Sequence, residues 1–141
     1  MSEFTGEIFE CVIVESPYAG DVDRNVAYVR AAMADCLARG EAPYASHLLY
    51  TQPGVLDDTV PAERIKGIAA GFAWRAVAKR TVVYEDLGIT RGMQQGIDAA
   101  MAHGHPIEYR SIPGWDRESR LARCRERAAE YLATGRPGGG R

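Results

Sequence analysis

The chain has few of the residues that build metal sites and disulfides: three cysteines and three histidines in 141 residues. Cys11, Cys36 and Cys124 are isolated, odd in number and form no CxxC pair, so a disulfide framework is not expected. Cys11 reads as a core strand residue and the other two as helix residues, all reduced. No pair among these cysteines and His47, His103 and His105 has zinc-ligand spacing, so no metal is expected, and nothing in the sequence asks for another cofactor. An excess of one charge is also missing. The net charge is -2, which gives no basis for a broad nucleic-acid-binding surface. The arginines from Arg110 to Arg127 outnumber the acids there, but their spacing suits a solvated helix face. No run approaches the ~20 apolar residues that cross a membrane. The opening MSEFTGEIFE lacks the basic-then-apolar pattern of a secretory signal, so the cytoplasm is the expected setting.

What is present suits one domain with one core. Residues 1–134 are expected to form it, with 135–141 a flexible Gly/Pro tail. Ile8–Glu15 is a β-branched apolar run, a buried strand. SPYAGD breaks it. Asp21 or Asp23 can cap the helix that follows, which ends at Gly40 and should bury Val26, Val29, Met33 and Leu37. Ala42–Tyr50 reads as a second strand and TQPGVLDDTVP as a loop. Pro61 opens a helix with Ile65, Ile68, Phe72 and Val77 on one face; Gly67 and Gly71 suggest close packing against the sheet. Thr81–Glu85 is the third strand. Thr90 caps a helix that runs to His103, Pro106–Arg110 is the fourth strand, and a last helix should turn Leu121, Cys124, Ala128 and Leu132 inward.

Four strand–helix alternations predict an α/β fold: a three-layer, flavodoxin/Rossmann-like parallel sheet of strand order 2-1-3-4, with helices on both faces. Ligands of such sheets gather beyond the carboxyl ends of the strands where the order reverses, between strands one and three. The loops meeting there are SPYAGD and EDLGITRG. At the second, unpaired N–H groups of a helix start, the Thr90 hydroxyl, Gly92 and Arg91 could hold a phosphate or carboxylate. An ordinary capped turn is the plain alternative. At the first, Tyr18 could stack on a base or sugar, and Ser16 and Asp21 could bond hydroxyls, with Asn25 on the next helical turn. His47 could act as a general acid or base or be structural, and Arg64 could hold an anion or pair with Asp57 and Asp58.

SPYAGDVDRN, HLLY…LDD and GITRGM…PIEYR together resemble the small phage and bacterial relatives of the nucleoside 2-deoxyribosyltransferases, over roughly Ile8 to Arg110. The resemblance implies an α/β fold, often dimeric, that cleaves or exchanges the N-glycosidic bond of nucleosides or their monophosphates. It also implies a phosphate held at Thr90-Arg91-Gly92, with Gly88 and Met93 beside it, and a sugar and base lined by Ser16, Tyr18, Gly20, Asp21 and Asn25. The family's catalytic glutamate lies six residues after the loop serine, and here that position is Gly96. Its second acid falls in Gly67–Trp74, where there is none. A glycosidic bond breaks with positive charge building on the sugar, which a carboxylate must stabilise or capture. Candidate replacement acids are Glu85, Asp86, Asp57, Asp58, Asp21 and Asp98. Asp86, at the carboxyl end of strand three, is the expected catalytic acid, with His47 beside it. The expected function is thus a nucleoside-phosphate-binding protein with N-glycosidic activity. A non-catalytic nucleotide (signal) binding or sequestering protein is the alternative.

Overall fold

The computed structural model describes residues 6–115 and 117–135. The expected tail beyond Gly135 lies outside the described residues. The elements are β1 (Glu10–Glu15), α1 (Val22–Ala38), β2 (Glu41–Tyr44), α2 (Ser46–Leu49), α3 (Pro61–Ala73), a 3-10 turn (Trp74–Ala76), β3 (Arg80–Tyr84), α4 (Arg91–Ala102), β4 (Ile107–Arg110) and α5 (Arg117–Thr134). All strand pairs are parallel and the order is β2-β1-β3-β4, as expected. The sheet is covered on both faces, so each strand sends successive side chains into different layers. Val12, Val14, Val82 and Tyr84 pack against Tyr28, Val29, Ala32 and Cys36 of α1. Val83 packs against Met93 and Ile97 of α4.

Several elements differ from expectation, each for a physical reason. β2 stops at Tyr44. Beyond its Ile13 partner only Val14 and Glu15 of β1 remain, and the chain instead coils into α2, closed by Leu49 N–H donating to Ala45 O at 2.9 Å. α1 buries Asn25, Tyr28, Val29, Ala32 and Cys36, while Leu37 is half exposed. The polar members of that face can be buried because they are satisfied: Asn25 donates to the carbonyls of Tyr18 and Ala19, and the Tyr28 hydroxyl donates to Asp86 at 2.6 Å. Cys11 is exposed rather than in the core, because cover on β1 begins only at Val12. On α5, Ala128 and Leu132 are exposed rather than inward; the side chains of Leu121 and Cys124 lie outside those described. Gly71 approaches α2 and not the sheet: a Cβ there would sit 2.8 Å from Ser46 Oγ. Gly67 faces Leu56.

Beneath α1 lies a charged network. The Arg110 guanidinium donates in a fork to Glu41 at 2.6 and 2.8 Å, Arg80 donates at 2.6 Å to Glu41 Oε2, which it shares with Arg110, and Glu108 takes a further Arg110 bond. These bonds hold the Glu41 carboxyl below its ordinary pKa. Removing one partner of a buried pair strands the other charge. Glu41→Ala should therefore cost about 3 kcal/mol in denaturant unfolding; a loss under ~1 kcal/mol would mean the arginines find water instead. Gly71→Val should lower stability by ~1–3 kcal/mol through overpacking and push α2 off α3. A mutant with wild-type stability would show that this contact is not tight.

Candidate active site at the carboxyl end of β1

A cavity of about 220 Å³ opens at the expected place, walled by the ends of β1 and α2, by α3 and by the start of α4. Seven of the residues expected at the site line it: Ser16, Tyr18, His47, Thr90, Arg91, Gly92 and Met93. A wider cleft of about 680 Å³ adjoins it and shares Tyr18, Ala19 and Asp58 as walls.

α4 starts as its sequence requires. Thr90 is extended, its hydroxyl accepts from Met93 N–H at 3.3 Å, and its own N–H donates to Met93 Sδ. The N–H groups of Arg91 and Gly92, in the first helical turn, have no partner within the helix. Arg64 reaches the same turn from α3; its Nη2 is 3.5 Å from where a Gly92 Cβ would stand. It also pairs with Asp58 at 3.0 Å, one of the two acids expected as its partners. Across the cavity, Ser16 Oγ and His47 Nε2 are 2.7 Å apart and Tyr18 meets the imidazole edge-on. Burial depresses the His47 pKa from 6.5 to about 4, so the ring is neutral near pH 7.

The remaining expected residues serve the frame. Asp21 caps α1 by accepting from Arg24 N–H, and Asn25 braces the Tyr18–Ala19 backbone. Gly20 lines the outer cleft, and Gly88, at φ 83°, turns the chain after β3. Asp86 does not line the cavity. Its carboxylate accepts from the Tyr28 hydroxyl at 2.6 Å and from Ile112 N–H at 2.9 Å. It ties β3 to α1 and to the segment after β4, and these bonds point it away from the α4 start.

A residue that sequence reasoning passed over takes the central position. Glu15, the last residue of β1, lies in the cavity with Ile13, on the side of the sheet facing α3 and α4. Among the described residues its carboxylate has no hydrogen bond and no ion pair. Burial raises its pKa from 4.5 to about 8, with Arg75 pulling the other way. Arg75 comes from the 3-10 turn, its guanidinium 4.7 Å above the Phe72 ring and its buried Nε unbonded. Alternation from Ile13 and the missing side chain at Gly96 were the signals that could have found Glu15.

These two perturbed groups carry opposite linkage to stability. An unfolded Glu15 ionises near 4.5 and a folded one near 8, so the fold loses stability as pH rises through that window. An unfolded His47 takes up a proton near 6.5 and a folded one near 4, so the fold loses stability as pH falls through that one. Glu15→Gln, which cannot ionise, should melt above wild type at pH 8–9 and level with it near pH 4.5. Equal melting temperatures across that range would place the carboxylate in water.

The fold has a solved likeness. The 2-deoxyribosyltransferase from the psychrotolerant bacterium Bacillus psychrosaccharolyticus superposes with a TM-score of 0.57 at 16% identity, over 75% of each chain. At that identity the likeness is one of fold. No curated protein matches the chain. A family model does match, over residues 10–110, from β1 to the end of β4, and so takes in every wall of the cavity. The chain belongs to that family, a domain of unknown function designated DUF7768.

Proposed function

We propose that the cavity binds a nucleoside phosphate and that the protein acts on its N-glycosidic bond. One observation carries the reading: an anion-ready helix start and a desolvated carboxylate, unpartnered among the described residues, face the same small space. The N–H groups of Arg91 and Gly92, with Arg64 alongside, suit a phosphate. Ser16 and His47 suit sugar hydroxyls, and Tyr18 suits the face of a sugar or base. The inner cavity is smaller than the ~300–1,000 Å³ usual for ligand sites, so the sugar phosphate would fill it and the base would lean into the adjoining cleft. The solved neighbour is named for transfer of a 2-deoxyribosyl group and for nucleoside synthesis, which supports a nucleoside as substrate. A cytoplasmic homodimer is the setting we propose, with the apolar strip of Ile65, Ile68 and Phe72 on α3 available for the contact.

The purified protein should be incubated with nucleoside monophosphates, deoxynucleotides and cyclic nucleotides, and each mixture weighed by mass spectrometry before and after heating. Free base before heating is the expected result. An intact nucleotide released only by heating would favour the sequestering or sensing alternative. No base and no bound nucleotide from any member would end the reading.

A further inference from the structure

Gly96 and Glu15 occupy one space. A Cβ built on Gly96 would lie 2.5 Å from Glu15 Cδ and 2.9 Å from Oε2, and closer still to Oε1. Real Cβ atoms do not approach other atoms that closely. Gly96 is buried in the middle of α4 with no positive φ to require glycine, and a mid-helix glycine costs about 1 kcal/mol relative to alanine. The backbone conformation gives no reason for glycine here; the carboxylate of Glu15 does.

We propose that Glu15, delivered from β1, is the carboxylate that faces the anomeric carbon of the substrate, and that Gly96 lacks a side chain to make room for it. The inference rests on the nucleoside-phosphate reading of the cavity. The step balances without a further cofactor. The bond from C1′ to the base nitrogen breaks, and its electron pair leaves on the nitrogen. The positive charge left on C1′ and the ring oxygen is held by the ionised Glu15. A water oxygen bonds to C1′ and its proton passes to the departed nitrogen, giving free base and the sugar phosphate. Arg75 is a positioning residue: its charge favours the ionised form without bonding to it. The charged and titratable groups lining the cavity with Glu15 are Tyr18 from the loop after β1, Arg75 from the 3-10 turn, His47 from α2, Asp58 from the loop before α3, Arg64 from α3 and Arg91 from α4. His47 is neutral and Asp58 is paired with Arg64, so the uncompensated charges are arginines. Turnover should rise with pH as Glu15 ionises, levelling above about 8.

Two variants test this on the full chain. Glu15→Gln removes the charge and keeps the shape. Gly96→Ala leaves Glu15 in the sequence but displaces its flexible end, at little cost to the fold. Both should keep inorganic phosphate binding at the α4 start and lower base release from the active nucleotide by about 100-fold or more. A second readout does not need turnover. A cationic iminosugar phosphate, which carries the positive charge at the reacting centre, should bind wild type about tenfold tighter than ribose 5-phosphate, and both variants should lose that preference. Wild-type rates or an unchanged preference in both variants would overturn the assignment of Glu15, as would failure of both sugar phosphates to bind wild type. Absence of base release with the iminosugar preference intact would instead sink the glycosidic reading and leave Glu15 facing the anomeric carbon of a bound ligand.

Discussion

Because β1 is covered on both faces from Val12 onward, a side chain on that part of it has no open solvent layer to turn to. Val12 and Val14 go to α1, and Ile13 and Glu15 go to the side of α3 and α4. Only apolar groups can follow this rule without cost, and β1 keeps to it from Val12 to Val14. Glu15 breaks it at the last residue of the strand. The strand cannot be extended past Pro17, and turning Glu15 to the other face would need a bulge that the β1–β3 register does not contain. The position of the carboxylate is therefore fixed by the packing of the whole sheet and not by local preference.

The chain buries a second carboxylate, and the contrast decides how each is understood. Glu41 accepts three charge-assisted hydrogen bonds from two arginines and is held ionised, its pKa lowered. It joins β2, β3 and β4 beneath α1 and behaves as a structural ion. Glu15 receives none, and its pKa is raised. The arginine nearest in effect, Arg75, is spent on the Phe72 ring. A protein can satisfy a buried carboxylate, as Glu41 shows. One left unsatisfied in a cavity, beside a helix start that attracts anions, is the arrangement expected of a working group.

Much of the frame was legible in the sequence because it depends on periodicity and turn chemistry. The alternation of strands and helices gave the parallel order, Thr90 and Asp21 were visible as caps, and the two unusual loops marked the carboxyl end of the sheet. What escaped depends on tertiary partners. Asp86 sits where a strand-end acid should be useful, yet the Tyr28 hydroxyl, in the second turn of another helix, captures it. Periodicity on α1 favoured Val26 and Leu37; the buried face instead carries Asn25 and Tyr28, whose polar atoms find partners only in the folded chain. Glu15 drew notice only as the last residue of a buried strand, and Gly96 looked like a deletion of function. Each is intelligible only beside the other, and eighty-one positions separate them.

The electrostatics of the cavity follow from one cause acting on two groups. Walls that limit contact with water push the acid up and the base down, so Glu15 and His47 are both uncharged through most of the range between about 4 and about 8. The charge that remains near them belongs to Arg64, paired with Asp58, and to Arg75 and Arg91. An empty cavity is thus net positive and suits an anion first. Once a phosphate occupies the α4 start, part of that positive charge is offset, and ionising Glu15 becomes harder still. A cation developing on a sugar held between the two would reverse this, because it makes the ionised carboxylate the favoured form. The interaction would be weak with a neutral ground-state sugar and strong with the charged transition state, which is the difference that accelerates a reaction.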